Sequence, residues 1–262
     1  MIDLPIYLAL GAVAGLLAGM FGIGGGLIIV PVLAWVFVGQ GVDAAVIMHL
    51  AIGTSLASIW LTALMSIRAH HRRGAVVWPL VRRLTPGIVA GALAGAFFAD
   101  MLPTHALKRT FGVFELLVAA QMLLVGRYDA HFNPPGPVGL TAVGGLIGAL
   151  SALIGIGGGT LTVPFLVWCR VPVLHAVATS AACGLPIAVA GALGFIITGW
   201  QSPQLPDWSS GYVYWPAWLG IVLASSLSAG WGVRLAHRLP AGRLRQVFAL
   251  LLAVIGLKMI YG

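Results

Sequence analysis

Gly22-Ile23-Gly24-Gly25-Gly26, with Pro31 and Leu33 beyond it, returns as Gly155-Ile156-Gly157-Gly158-Gly159, with Pro164 and Leu166 at the same spacing. Each cluster stands between two apolar runs, residues 6–21 and 27–38 in one case and 138–154 and 160–169 in the other. So dense a run of glycine lacks the Cβ atoms that hold a helix interior and permits positive φ, so each apolar stretch should break there and turn back. A 12-residue run rises only about 18 Å as a helix, against a hydrocarbon core of about 30 Å, so these pieces are expected to be half-membrane helices.

The echo continues outward. Ala51-Ile52-Gly53-Thr54-Ser55 returns as Ala176-Val177-Ala178-Thr179-Ser180, and Leu102-Pro103 with Phe111 returns as Leu239-Pro240 with Phe248. Three echoes in one order mark a duplicated unit, residues 1–126 and 138–262, joined by a linker at 127–137 that holds Asn133-Pro134-Pro135-Gly136-Pro137. Further apolar runs at 46–66, 78–99, 105–126, 174–199, 213–234 and 244–261 complete three longer helices per half. The fold class expected is an all-α polytopic membrane protein, each repeat a glycine-broken re-entrant hairpin followed by three transmembrane helices.

Composition agrees. Of 262 residues 60% are hydrophobic and only 8% charged, at mean hydropathy +1.03, too few charges to cover a water-exposed surface. The formal charge of +8 could suggest nucleic acid, but the basic residues form no face or aromatic-interleaved patch. Arg68, Arg72, Arg73, Arg82 and Arg83, then Arg234, Arg238, Arg243 and Arg245, gather instead at the loops, as positive-inside sorting produces. The lipid bilayer is the expected surrounding and nucleic acid is not. Nothing basic precedes Leu8, so residues 1–38 read as mature membrane structure rather than a signal peptide. Cys169 and Cys183 sit in apolar runs without metal-type spacing, and no cofactor motif is present.

Charge also orients the halves. The loop after 46–66 carries Arg68, Arg72 and Arg73, whereas its counterpart at 201–212 carries Asp207 and no Lys or Arg. The first is expected inside and the second outside, which inverts the repeats, leaves both termini outside, and brings the two hairpins in from opposite faces with their turns meeting near the midplane. Broken helices inside a bilayer need protein or a cavity to satisfy their backbone groups, and paired breaks point to a transporter substrate site. Each break opens a new helix, at Leu27 and Thr160, whose free N–H groups and dipole favour an anion. The candidate binding residues are therefore Gly22, Ile23, Gly24, Gly25, Gly26, Gly155, Ile156, Gly157, Gly158, Gly159 and Thr160, with Thr54, Ser55, Thr179 and Ser180 as hydroxyl donors. Those hydroxyls could equally pack between helices, as Gly11 and Gly15 are read to do. Glu115, alone in an apolar run and matched by Leu252, is a candidate for proton coupling or a structural acid, and His49 and His175 near helix starts are candidates of the same kind. The glycines meet neither the P-loop nor the dinucleotide pattern.

The duplicated glycine motif, its following proline and the Thr-Ser runs together resemble the TauE/SafE family of sulfite exporters and related sulfur-compound permeases, over nearly the whole chain. The resemblance implies ATP-independent transport of a small anion such as sulfite, thiosulfate, sulfoacetate or a related organosulfonate in a bacterial inner membrane. Where that family often has a basic residue before the second Thr-Ser run this chain has His175, so recognition there could depend on pH. A homodimer is compatible with the sequence. A non-transporting accessory subunit would share the composition but has no reason to duplicate glycine-broken hairpins, and an intramembrane enzyme would need a nucleophile and base that the spans lack.

Overall fold

The computed structural model describes residues 4–21, 25–124, 133–236 and 241–262. Gly22, Ile23, Gly24, Arg127 and Arg238 lie outside the described residues. Among the described residues ten helices run in the order α1 Leu4–Phe21, α2 Gly26–Gly39, α3 Ile47–Arg72, α4 Trp78–Asp100, α5 Thr104–Leu124, α6 Pro137–Ile154, α7 Gly159–Trp168, α8 Val173–Gly199, α9 Trp215–Ala236 and α10 Ala241–Tyr261. Four of them, α3, α4, α6 and α8, are long and apolar enough to cross a membrane. The chain is an all-α integral membrane protein.

Glycine and basic residues set the helix ends. Gly41 at φ 73 and Gly74 at φ 64 close α2 and α3 in left-handed turns, with Val42 N donating to Phe37 O and Ala75 N to His70 O. His70, His71 and Arg72 in the last turn of α3 face its negative dipole end. One piece departs from an all-helical reading: β1 Ser209–Ser210 pairs antiparallel with β2 Val213–Tyr214 around Gly211 at φ 53. The apolar run expected as helix from residue 213 thus spends its first two residues in a ribbon.

Each of the closest helix pairings joins the two halves of the chain: α1 with α9, α4 with α6, α5 with α10, α4 with α8 and α3 with α8. Small residues make this possible. A Cβ on Gly11 would stand 2.6 Å from Ile221 O, and one on Gly15 2.5 Å from Ser225 Cα, so α1 and α9 touch backbone to backbone and run parallel. Gly87, Gly91 and Gly95 do the same against Thr141, Gly145 and Ala149, making α4 and α6 parallel. Gly53 meets Phe195 and Gly191 meets Leu56, an opposite order that makes α3 and α8 antiparallel. Exchanging the halves leaves these pairings unchanged except for α4 with α8, whose counterpart, α9 with α3, is a smaller contact.

The arms before the turns match the expected runs to within two residues: α1 and α6 have 18 residues each and rise about 27 Å, more than the roughly 18 Å of a 12-residue piece. Only the returning arms are short, α2 with 14 residues and α7 with 10, each carrying an internal proline, Pro31 or Pro164. The second glycine cluster marks its turn at Gly155, and the helices before the two turns begin one or two residues earlier than expected, at Leu4 and Pro137.

Candidate functional site

The second turn is described in full. Gly155 at φ 80 stops α6, and both Gly155 N and Ile156 N donate to Ser151 O. Its Cβ would meet Val30 Cγ2 at 2.9 Å and Ile52 Cα at 3.2 Å, so φ and space both require glycine. Gly158 differs. It lies at φ −62, open to any residue, but a Cβ would stand 2.8 Å from Ser180 O and 3.0 Å from Gly184 N on α8. Space alone explains that glycine. Ile156, Gly157 and Gly158 are buried and Gly159 is half-buried.

Of the first turn, Gly25 and Gly26 are described. Gly25 at φ 76 caps α2, and its carbonyl accepts from Ile28 N and Ile29 N. A Cβ on Gly26 would stand 2.5 Å from Gly155 O, so the two glycine turns meet each other inside the bundle.

What lies around the start of α7 is polar without a protein partner. The first helical bond there runs from Thr162 N to Gly158 O at 2.9 Å, leaving the N–H groups of Gly159, Thr160 and Leu161 ahead of it. Thr160 Oγ1, Thr162 Oγ1 and Ser151 Oγ are buried with no hydrogen-bond partner. Buried hydroxyls are nearly always paired, so three orphans flanking one turn are a signal. Sequence reading named Thr160 but missed Ser151 and Thr162. Comparing the repeats would have found them, because the corresponding places before and after the first turn hold Ala18 and Ile29.

The Thr-Ser runs are engaged elsewhere. Ser55 Oγ donates to Gly155 O at 2.9 Å, tying α3 to the second turn, while Ser180 Oγ donates to Val177 O at 2.8 Å in its own helix. Thr54 Oγ1 accepts from Tyr214 N and Thr179 Oγ1 from Val77 N, each at 3.0 Å. All four are buried.

The candidate coupling groups sit on different helices: Glu115 on α5, His49 on α3 and His175 on α8. Glu115 is fully buried where α5 crosses α10, beside Gly256, with both carboxyl oxygens unpartnered. His49 Nε2 donates to Ala99 O at 3.1 Å and its ring lies 5.0 Å from that of Tyr212. His175 Nδ1 donates to Ala75 O at 2.9 Å. Tyr212 OH donates to Asp100 Oδ1 at 3.0 Å, and burial with this bond pushes its phenol up to about 12, so it stays a donor at physiological pH.

The family model described as sulfite exporter TauE/SafE matches residues 7–259. The chain belongs to the TauE/SafE family. It is 37% identical over 255 residues to a probable membrane transporter protein of Haemophilus influenzae, covering 97% of each chain. A probable membrane transporter protein of Methanocaldococcus jannaschii is 28% identical, covering 98% of this chain and 95% of its own. One from Bacillus subtilis is 26% identical, with 98% and 97% covered. No solved structure matches. As a TauE/SafE member the chain is a membrane transporter rather than an enzyme.

Proposed function

We propose that this chain is a secondary transporter of small sulfur-containing oxyanions or organosulfonates, such as sulfite, thiosulfate or sulfoacetate, moved by alternating access between the two glycine turns. The observation that carries the reading is the group of buried, unpartnered hydroxyls, Ser151, Thr160 and Thr162, beside the free N–H end of α7 where the two turns touch. Helix N-termini and hydroxyls bind oxyanions through neutral donors. Every Lys and Arg whose side chain is described is half-buried or exposed, so recognition rests on those donors rather than on an ion pair. The site is then lopsided: the second turn holds the anion, and the first, with Ala18 and Ile29 at the matching places, supplies the wall facing it.

Inverted repeats suit this mechanism. Parallel α1 with α9, parallel α4 with α6 and antiparallel α3 with α8 are the pairings that two oppositely inserted halves would make. The loop charges then put Arg68, Arg72 and Arg73 in the cytoplasm of a bacterial cell, with both termini outside and the turns near the midplane.

Binding tests the site directly. Sulfite, thiosulfate, sulfoacetate, chloride and phosphate are titrated against the purified protein while its melting temperature is followed. A sulfur oxyanion at saturating concentration should raise it, since a ligand at 100 times Kd adds about 2.7 kcal/mol, and Thr160→Val with Ser151→Ala should abolish the rise. Equal response to chloride and sulfite, or a response unchanged in the double variant, would overturn the assignment.

A further inference from the structure

Two loops, one from each half, dip into the bundle and end on the same residue of the opposite Thr-Ser run. Tyr212, Val213 and Tyr214 are only 7%, 0% and 8% exposed although they belong to the connection between α8 and α9. Tyr214 N donates to Thr54 Oγ1 at 3.0 Å and Tyr212 N to Phe195 O at 3.1 Å, while the Tyr214 ring packs edge-on against Tyr7 at 6.1 Å and Phe37 at 5.8 Å. The connection between α3 and α4 repeats the arrangement. Val77 N donates to Thr179 Oγ1 at 3.0 Å, His175 Nδ1 donates to Ala75 O at 2.9 Å, and Ala75 and Val76 are 3% and 9% exposed. Thr54 and Thr179 lie about 10 Å beyond the starts of α3 and α8, so each loop reaches well below its end of the bundle.

A backbone N–H carried to that depth has no water to bond and needs an acceptor from the protein. Each threonine supplies it, and each does so for the residue that leads into the fourth helix of the other half, Trp78 at the start of α4 or Trp215 at the start of α9. One hydroxyl therefore fixes where a loop and its helix sit against the partner half. Both are engaged together here.

We propose that the two loops are the gates of the transport cycle and that Thr54 and Thr179 are positioning residues, each latching the gate at one face, so that release of one latch opens one face alone. This rests on the alternating-access reading above, and it replaces substrate contact as the role of these two threonines. The loop of Tyr212 to Tyr214 closes the face where α3 begins, and that of Ala75 to Val77 the face where α8 begins.

Two matched reporters test it. Cys183 stands one turn beyond Thr179 and Ser58 one turn beyond Thr54, and they are 0% and 2% exposed. In proteoliposomes of Cys169→Ala protein, labelling of Cys183, or of Ser58→Cys with Cys183→Ala, is timed with an impermeant maleimide added to either face. Thr54→Val should speed labelling of the Ser58→Cys reporter about tenfold from one face and leave Cys183 protected. Thr179→Val should do the reverse from the opposite face. Thr54→Ser and Thr179→Ser keep the acceptor and should restore protection, which a loss of folding would not allow. No change in either variant, or an equal rise at both reporters, would overturn the proposal and leave the threonines as packing residues. The pattern with the faces exchanged would sink the assigned orientation and keep the gates. Selective opening in a protein that moves none of the sulfur anions would sink the substrate assignment and keep the gates.

Discussion

Gly26→Ala places a methyl carbon 2.5 Å from Gly155 O and 2.9 Å from Ile156 Cα. Both are backbone atoms of the opposite half, so no rotamer change relieves the contact, and carbon atoms pack best at about 3.5–4.0 Å. The turns must part by roughly 1 Å. Overpacking of this kind costs about 1–3 kcal/mol, which for a chain of this length lowers the melting temperature by roughly 2–12 °C. Gly25→Ala is the matched control. Its φ of 76 costs an L-residue about 1–2 kcal/mol, a similar penalty, yet its Cβ would face Ile29 Cδ1 at 3.4 Å and Ala18 Cβ at 3.5 Å, within its own half. Stability should therefore fall comparably in the two variants while function separates them. Uptake into proteoliposomes, normalised to folded protein, should drop more than tenfold in Gly26→Ala and only a few fold in Gly25→Ala. Normal uptake by Gly26→Ala would refute the claim that the meeting of the turns builds the site.

Glu115→Gln should leave apparent substrate affinity within a few fold, because Glu115 packs against Gly256 on α10 and its counterpart in the other repeat is the apolar Leu252; a loss above tenfold, about 1.4 kcal/mol, would show that the site has been misplaced. Single cysteines at Gln204→Cys and Asp207→Cys, in a background lacking Cys169 and Cys183, should react with an impermeant thiol reagent on intact cells, and those at Arg72→Cys and Arg238→Cys should not. Equal labelling at positions 72 and 207 would remove the orientation drawn from the loop charges.

Much of the fold was legible because glycine and apolar length are strong signals in a bilayer. The expected run at 174–199 is α8 at Val173–Gly199, and that at 78–99 is α4 at Trp78–Asp100. Periodicity could not say how far α1 and α6 continue, since flanking residues such as Leu4 and Pro137 are as compatible with loops as with a first helical turn. Nor could it show that Val213 and Tyr214 leave the α9 run for a ribbon, a result of Gly211 and of contacts with Thr54 and Phe37 far away in sequence. Within the candidate site the glycines were readable but their reasons were not. Gly155 needs its φ, Gly158 only needs room beside Ser180 and Gly184, and the two look alike in the sequence. The Thr-Ser runs announced themselves by repetition, yet repetition is served equally by a ligand and by two matching backbone contacts.

The proposed function requires that a small sulfur oxyanion cross the membrane through this chain. Labelled sulfite offered to proteoliposomes of the purified protein, beside protein-free liposomes, measures that crossing without any other cellular component. Entry should be saturable, suppressed by excess unlabelled sulfoacetate or thiosulfate, unchanged by equal chloride, and independent of ATP. Entry no faster than into protein-free liposomes for every sulfur anion offered, or entry suppressed equally by chloride, would contradict the proposed function.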